Sequence, residues 1–347
     1  MNKDLKVAIA MSGGVDSSVA ASIIKEKGYE ISGIMLDLSG SSESDIEDAV
    51  KVSKSLDIPL EILDYKEDFK NIVIEDFVST YEQGGTPNPC IVCNKYLKFG
   101  KLIDYIKEKG FSKIATGHYA RVEFSKEKGR FLLYKATDET KDQSYVLYSL
   151  TQEQLGRVMF PLGELQKSEV RTIAESSELV NAYKKDSQDI CFIKDNDYKA
   201  YIENFRNKKY PEGDFTDLLG NVLGTHKGII GYTTGQRKGL GLSLKEPMYV
   251  VKKDIEKNSV ILGLSEDLFS TSLIAKDVNF IPFDELKEEM KVTAKTRYKQ
   301  KEADAVISPL PENKVKVTFS VPQRAITKGQ SVVFYDNNLV VGGGIIE

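Results

Sequence analysis

Residues Leu5-Lys6-Val7-Ala8-Ile9-Ala10-Met11-Ser12-Gly13-Gly14-Val15-Asp16-Ser17-Ser18 decide the fold. The apolar run 5–10 has the length and character of a strand covered on both faces. Residues 17–27 follow with Val19, Ala20, Ile23 and Ile24 on one side of a helix. Between the two, Gly13 and Gly14 allow a sharp turn and close backbone approach to a ligand, because neither carries a Cβ. A helix opening at such a turn presents unpaired N–H groups and the positive end of its dipole, which suits a phosphate. The same residues also fit a plain helix start capped by Asp16 or Ser17. The loop has no GxxxxGK[ST] lysine and is not GxGxxG, so neither a Walker grip nor a dinucleotide fold is expected.

Working outward, strands are expected at 31–38, 60–63 and 113–116, and helices at 44–56, 69–83 and 97–109. Strands alternating with helices imply parallel βαβ units and a ligand site at the carboxyl ends of the strands. The loops after Ala10, Leu38 and Thr116 are therefore the ones to watch. A short strand is expected at 130–136, with helices at 152–159 and 167–177. Between Phe205 and Lys245 the texture changes: eight glycines, and seven Lys or Arg against three Asp or Glu. From there to the C-terminus short β-branched or alternating runs dominate, at 248–252, 260–264, 292–296, 315–321, 331–335 and 339–341. The expected class is α/β plus β. Residues 1–205 form a parallel-sheet nucleotide-binding domain, and 206–270 and 271–347 form two small barrel-like β domains.

Composition narrows the chemistry. Forty-eight Lys plus Arg against 52 Asp plus Glu leave a net charge of −4, so no whole-chain basic footprint for nucleic acid exists. The 205–245 stretch is locally basic. Two histidines, His118 and His226, exclude a multi-histidine zinc enzyme. Three cysteines in 347 residues do not make a secreted disulfide framework. With no apolar run near 18 residues and no signal-type N-terminus, a membrane role is not expected and the cytoplasm is the expected location.

Cys90 and Cys93 lie in Gly85-Thr86-Pro87-Asn88-Pro89-Cys90-Ile91-Val92-Cys93-Asn94-Lys95, where two prolines precede a helix expected to open near Lys95. A thiol at a helix N-terminus beside a lysine should have a depressed pKa, as nucleophilic or sulfur-carrying chemistry requires. Cys191, in Asp186-Ser187-Gln188-Asp189-Ile190-Cys191-Phe192-Ile193, would by its apolar flanks be a buried structural residue. A structural zinc site, a CxxC redox pair, and a loop nucleophile working with a distant cysteine all remain open.

The heptapeptide Ser12–Ser18 resembles the S-G-G-x-D-S signature of the PP-loop ATP pyrophosphatases, which cleave ATP between the α- and β-phosphates. That resemblance implies binding of ATP, with magnesium, by Ala10, Met11, Ser12, Gly13, Gly14, Val15, Asp16 and Ser17, and an adenine-side contact at Met35. Further motifs follow in order: T-P-N-P-x-x-x-C-N-K, A-T-G-H-Y, K-D-Q-S-Y, S-Q-D-I-C-F, G-x-T-x-G-Q-R-x-G-L-G and a terminal G-G-G-I-I. Together they resemble the bacterial tRNA-specific 2-thiouridylases over essentially the whole chain. The resemblance implies adenylation of the wobble uracil O2 and replacement by sulfur from a persulfide. Cys191 matches the persulfide carrier, Cys93 the nucleophile, and a transient Cys93–Cys191 disulfide is implied. Gly117 matches a nucleotide-binding glycine. Asn88, Pro89 and Cys90 match the segment facing the target base, and His118, Lys141, Asp142, Gln143, Arg297, Tyr298 and Gln330 match tRNA-contacting positions. A persulfide-donating partner protein is implied as well.

One departure stands out. Many members carry Asp where this chain has Cys90, and three thiolates at one site form an alternative ligand set for an iron–sulfur cluster: Cys90, Cys93 and Cys191. Two other readings predict different behaviour: a PP-loop ligase for a small molecule, and a non-catalytic RNA-binding protein with a metal-stabilised loop.

Overall fold

The computed structural model describes residues 5–38, 43–184, 190–193 and 197–347. Five parallel strands form the first sheet: β1 (Lys6–Met11), β2 (Glu30–Asp37), β3 (Leu60–Asp64), β4 (Lys113–Thr116) and, after the hairpin β5 (Arg121–Ser125) and β6 (Arg130–Tyr134), β7 (Val158–Met159). Their order is β3-β2-β1-β4-β7, so β1 lies at the centre. Val7, Ala8 and Ile9 are fully buried there, as a strand covered on both faces requires. Helix α1 (Val15–Glu26) packs on one side with α2 (Glu43–Ser55). The chain order reverses at β1/β4, and the loops after these two strands meet there.

Two longer helices carry the rest of the site. Helix α3 (66–82) and helix α4 (89–108) each widen to π-type turns in the middle, at Lys70–Ile74 and Asn94–Lys101. Such turns recur at functional sites. The expected start of α4 near Lys95 is corrected: Pro89 opens it, with Asn88 before it. Proline at the first helical position has no N–H to leave unpaired and its φ already suits a helix, so it begins an element here rather than ending a loop. The helix expected at 152–159 is also shorter. Helix α5 (Gln152–Arg157) stops where Val158–Met159 turns extended to join β4 as a fifth strand. Helices α6 (Lys167–Ser176) and α7 (Tyr198–Arg206) complete the helical part.

Strands β8 (Gly213–Thr216), β9 (Val222–His226), β10 (Tyr249–Asp254) and β11 (Ser259–Gly263) make a small sheet in the order β10-β11-β8-β9. Beyond it, β12 (Phe269–Phe280), β13 (Met290–Lys295), β14 (Ala303–Leu310), β15 (Lys314–Arg324), β16 (Ser331–Asp336) and β17 (Leu339–Ile346) form a six-stranded barrel, closed by pairing of β12 with β17. The β5–β6 hairpin does not extend the first sheet. Tyr134 pairs with Leu339 of β17, so the hairpin borders the barrel.

The parts share cores. Ile34, Phe99 and Leu133 pack in one cluster with Ile281, Val333 and Val340 of the barrel. Phe69 and Phe77 of α3 share another with Phe192, Phe215 and Val250. Among the described residues no helix is long and apolar enough to cross a membrane.

Candidate active site

At the carboxyl end of β1 the loop is tied to itself. Ser12 N donates to Ser17 Oγ at 3.2 Å, and Ser17 and Ser18 hydroxyls donate to Gly14 O at 3.0 Å each. Gly14 precedes α1 and no side chain caps it, so neither Asp16 nor Ser17 fills the capping role. The first-turn N–H groups are thereby left for an anion. Gly13 sits at φ +70°, a conformation that favours glycine, and a Cβ there would collide with the backbone carbonyl of Asp45. Gly117 lies against the same turn: a Cβ would come within 2.6 Å of Asp16 C and Ser17 N. Only a residue without a side chain lets the loop after β4 lie that close to the loop after β1.

Side chains from distant segments surround this turn. Asp16 Oδ1 accepts from Tyr119 Oη at 2.8 Å and from Lys167 Nζ at 2.6 Å. Lys184 Nζ reaches Gly13 O at 3.3 Å, Asp45 at 2.8 Å and Asp48 at 2.6 Å, and Asn181 Nδ2 donates to Gly13 O and Ser18 Oγ, each at 3.0 Å. Sequence reading missed Tyr119, Lys167, Asn181 and Lys184 as parts of this site. No local pattern announces them, since the contacts close over more than a hundred residues of chain. Met35 lies inside β2, where it pairs with Met11 of β1, and both side chains are buried.

The sulfur end is built on α4. Cys93 is buried, while Cys90 and Cys191 are exposed, and all three are free thiols. Phe192 anchors the Cys191 segment edge-on against Phe69 at 5.5 Å and Phe77 at 5.3 Å. Ser187, Gln188 and Asp189 of the same motif lie outside the described residues. The expected low thiol pKa is overturned. Burial pushes Cys93 up to about 11, with the neighbouring Cys191 and Cys90 adding to the rise and Lys98 opposing it. Cys90 and Cys191 are also raised, chiefly by the protein crowded around them although solvent still reaches both, and Lys98 again opposes. The physical reason is the earlier helix start: Cys93 lies one turn inside α4, away from the open N–H groups. The relevant cation is Lys98 on the widened turns. Lys95 instead sits 5.0 Å over the Tyr96 ring.

The three thiols are close enough to shift one another. Yet among the described residues no three His, Cys, Asp or Glu groups converge as a metal ion would need. Cys90, Cys93 and Cys191 in this arrangement do not fit a cluster.

His118 links the two ends. It follows Gly117, its Nδ1 lies 2.8 Å from Thr116 Oγ1, and its ring packs against Phe99 of α4 at 5.6 Å and Phe160 at 6.1 Å. Burial, with Lys98 adding, depresses its pKa to about 3, so the imidazole is neutral and a weak base.

Several of the remaining predicted residues are engaged within the protein. The Asp142 carboxylate is buried and accepts from Ala136 N, Ser144 N and Ser144 Oγ, and Gln143 accepts from Tyr119 N at 3.0 Å. Both hold the loop together. Lys141 lies half-buried beside them. Gln330 Nε2 donates to Thr86 O and Pro87 O at 2.9 Å each, stapling the barrel to the residues leading into Asn88, Pro89 and Cys90. Tyr298 is partly exposed. Its hydroxyl pKa rises to about 12 through burial, Asp142 and Cys90, which places this barrel residue at the sulfur end. Arg297 donates to Ala325 O at 2.8 Å and Thr327 Oγ1 at 2.9 Å.

A parallel sheet whose first strand turns through two glycines into a helix, with no GxxxxGK[ST] lysine, defines a HUP-type domain of the PP-loop class. The comparisons agree. The tRNA methyl transferase HUP domain family matches residues 5–195, the tRNA methyl transferase PRC-barrel domain 199–264, and the Aminomethyltransferase beta-barrel domain 270–346. A Clostridium botulinum (strain Langeland) protein named tRNA-specific 2-thiouridylase MnmA 2 is 51% identical, covering 98% of both chains. One of the same name from Clostridium tetani is 51% identical over 99% of this chain and 98% of the relative. The chain belongs to the tRNA-specific 2-thiouridylase family. Among solved structures, the U34-tRNA thiolase NcsA from Methanococcus maripaludis, with its [4Fe-4S] cluster, aligns at a TM-score of 0.36 and 21% identity over 59% of this chain and 65% of that one. So low a score carries no argument about this site.

Proposed function

We propose that the protein uses ATP and magnesium to adenylate O2 of the wobble uridine of tRNA and replaces that oxygen with sulfur. The turn at Ser12–Ser17 and Gly117 holds the triphosphate. Uracil O2 attacks the α-phosphorus and pyrophosphate leaves. The outer sulfur of a persulfide on Cys191 then attacks C2, and AMP departs carrying O2. Cys93 thiolate attacks the Cys191 sulfur, freeing the 2-thio group and leaving a Cys93–Cys191 disulfide. A dithiol reductant restores both thiols, and a persulfide-bearing donor protein reloads Cys191. Such chemistry belongs in the reducing cytoplasm.

One observation carries this reading. The segment Thr116–Tyr119 touches the phosphate turn through Gly117 and Tyr119 and the cysteine helix through His118, so the two chemistries adjoin. Asn88, Pro89 and Cys90 would face the base, with Lys141 and Tyr298 contacting the RNA beside it. The test is direct. Cys93→Ser and Cys191→Ser should each abolish 2-thiouridine in tRNA, measured by nucleoside mass spectrometry, while tRNA binding persists. Undiminished 2-thiouridine in both variants would overturn it.

A further inference from the structure

The reaction proposed above uses two of the three thiols at the sulfur end and leaves Cys90 without a part. Cys90 and Cys93 stand three residues apart where α4 opens. Helical periodicity puts them on one face, one turn apart. Cys90 is exposed whereas Cys93 is only 7% exposed, so a molecule in solution reaches the first sulfur far more readily than the second. Cys191 is also exposed, and Phe192 beside it is anchored on Phe69 and Phe77. Charge on Cys90 bears on both other thiols, so its sulfur lies near each of them. Among the described residues no cluster of metal-type ligands claims these thiols.

We propose that Cys90 is the resolving thiol of the cycle: it takes Cys93 over from the Cys93–Cys191 disulfide and so frees Cys191 to be reloaded with sulfur. The Cys90 thiolate attacks the Cys93 sulfur, a Cys90–Cys93 bond forms, the Cys93–Cys191 bond breaks, and the electron pair leaves on Cys191. The proton given up by Cys90 ends on Cys191, so the exchange involves no net oxidation and no further reactant. A dithiol reductant then attacks the exposed Cys90 sulfur and departs as its own disulfide, with Cys90 and Cys93 both returned as thiols. The helix favours this direction, because it fixes Cys90 beside Cys93 wherever Cys191 moves. Leaving-group chemistry favours it too. Of the two sulfurs in the Cys93–Cys191 bond, Cys93 carries the larger rise in pKa, to about 11, so Cys191 is the better leaving group. Residues three apart on a helix have Cβ atoms about 5–6 Å apart, and a disulfide needs about 3.5–4.5 Å, so the first turn must close by about 1–2 Å. It is the least restrained turn of α4. Pro89 has no N–H, and that of Cys90 is among those a helix start leaves without an intrahelical acceptor.

This inference rests on the sulfur-transfer reading, and the test separates the two. The full chain is loaded with sulfur by a cysteine desulfurase and free cysteine, desalted, and mixed with unmodified tRNA, ATP and magnesium without reductant. The reaction is quenched with N-ethylmaleimide, 2-thiouridine is counted, and the disulfides are mapped by peptide mass. In wild type each 2-thiouridine formed should be matched by one Cys90–Cys93 disulfide and one alkylated Cys191. In Cys90→Ser the disulfide should shift to Cys93–Cys191, again one for each 2-thiouridine formed, and alkylation of Cys191 should be lost to the same extent. The wild-type map decides the assignment even where the variant does not fold. A wild type that stops at Cys93–Cys191 with Cys90 alkylated, or that links Cys90 to Cys191, overturns the resolving role and leaves the sulfur transfer standing. Wild type that forms no 2-thiouridine, or forms it with all three cysteines alkylated, refutes the sulfur-transfer reading itself.

Discussion

Lys98 and Cys93 pose the sharpest question at the scale of single residues. Sulfur transfer needs thiolates, yet burial raises the Cys93 pKa to about 11, and among the described residues the cation drawing all three thiols down is Lys98. Lys98→Met should therefore move the pH midpoint for Cys93 alkylation upward and slow thiolation in proportion to the lost thiolate. Iodoacetamide rates read by peptide mass from pH 8 to 11.5 check this, and an unchanged profile would refute it. His118 titrates in the opposite sense. Its folded pKa of about 3 lies below the ordinary value of about 6.5. The folded state thus holds fewer protons, so stability from this residue is complete above 6.5 and is lost as pH falls toward 3. His118→Gln should flatten that part of the acid limb, seen as a smaller drop in urea midpoint between pH 7 and 4. Neither titration was legible in the chain. The cysteines were recognised from spacing, but burial inside α4 depends on where that helix begins, and Pro89 reads equally well as a loop residue until its neighbours pack.

At the scale of elements, the strand–turn–helix of β1 and α1 was legible because its signals are contiguous: an apolar run, two glycines, then an amphipathic run. Val158–Met159 was not, since two residues carry no period and only β4 beside them makes them a strand. The β5–β6 hairpin was recognised in part as a strand, but its partner is Leu339, whose proximity no local pattern encodes. The two loops that meet at the Ser12–Ser17 turn give a prediction. Gly117→Ala places a methyl 2.6 Å from Asp16 C and Ser17 N, both backbone atoms that cannot rotate away. The loop must shift, and apparent ATP affinity should fall at least tenfold while tRNA affinity stays within about twofold. Equilibrium binding of a non-hydrolysable ATP analogue reads the first and filter binding of tRNA the second. Unaltered ATP affinity would show that the close approach is not needed for the nucleotide.

For the whole molecule, the loop entering the cysteine helix is gripped from two sides. The barrel holds it through Gln330 and through Lys328 O, which accepts from Thr86 N at 2.8 Å. The middle domain holds it through Lys253, whose buried ammonium donates to Tyr232 O at 2.9 Å and Gly85 O at 3.4 Å and lies 5.7 Å over the Tyr81 ring. Neither grip was visible in the sequence, because each joins segments from different domains and uses neutral carbonyls as partners. Both offer a route by which RNA seated on the β domains sets the position of Asn88, Pro89 and Cys90. Lys253 makes the coupling measurable. Burial lowers its pKa to about 8, against about 10.4 in an unfolded chain. The folded state therefore binds protons less readily, so the penalty is complete below pH 8 and is relieved as pH rises from 8 to 10.4. Across that window wild type should gain on the order of 3 kcal/mol relative to Lys253→Met, which has no ammonium to titrate. At neutral pH the variant leaves two carbonyls without their donor, at a cost of about 1–3 kcal/mol each where they stay dry. Its absolute stability is therefore less informative than the pH dependence of the difference. Urea midpoints of the two proteins at pH 7, 8, 9 and 10 should diverge in favour of wild type as pH rises. Parallel curves would mean that the amine is hydrated and that the middle domain holds the loop by apolar contact alone, through Ile255 against Gly84.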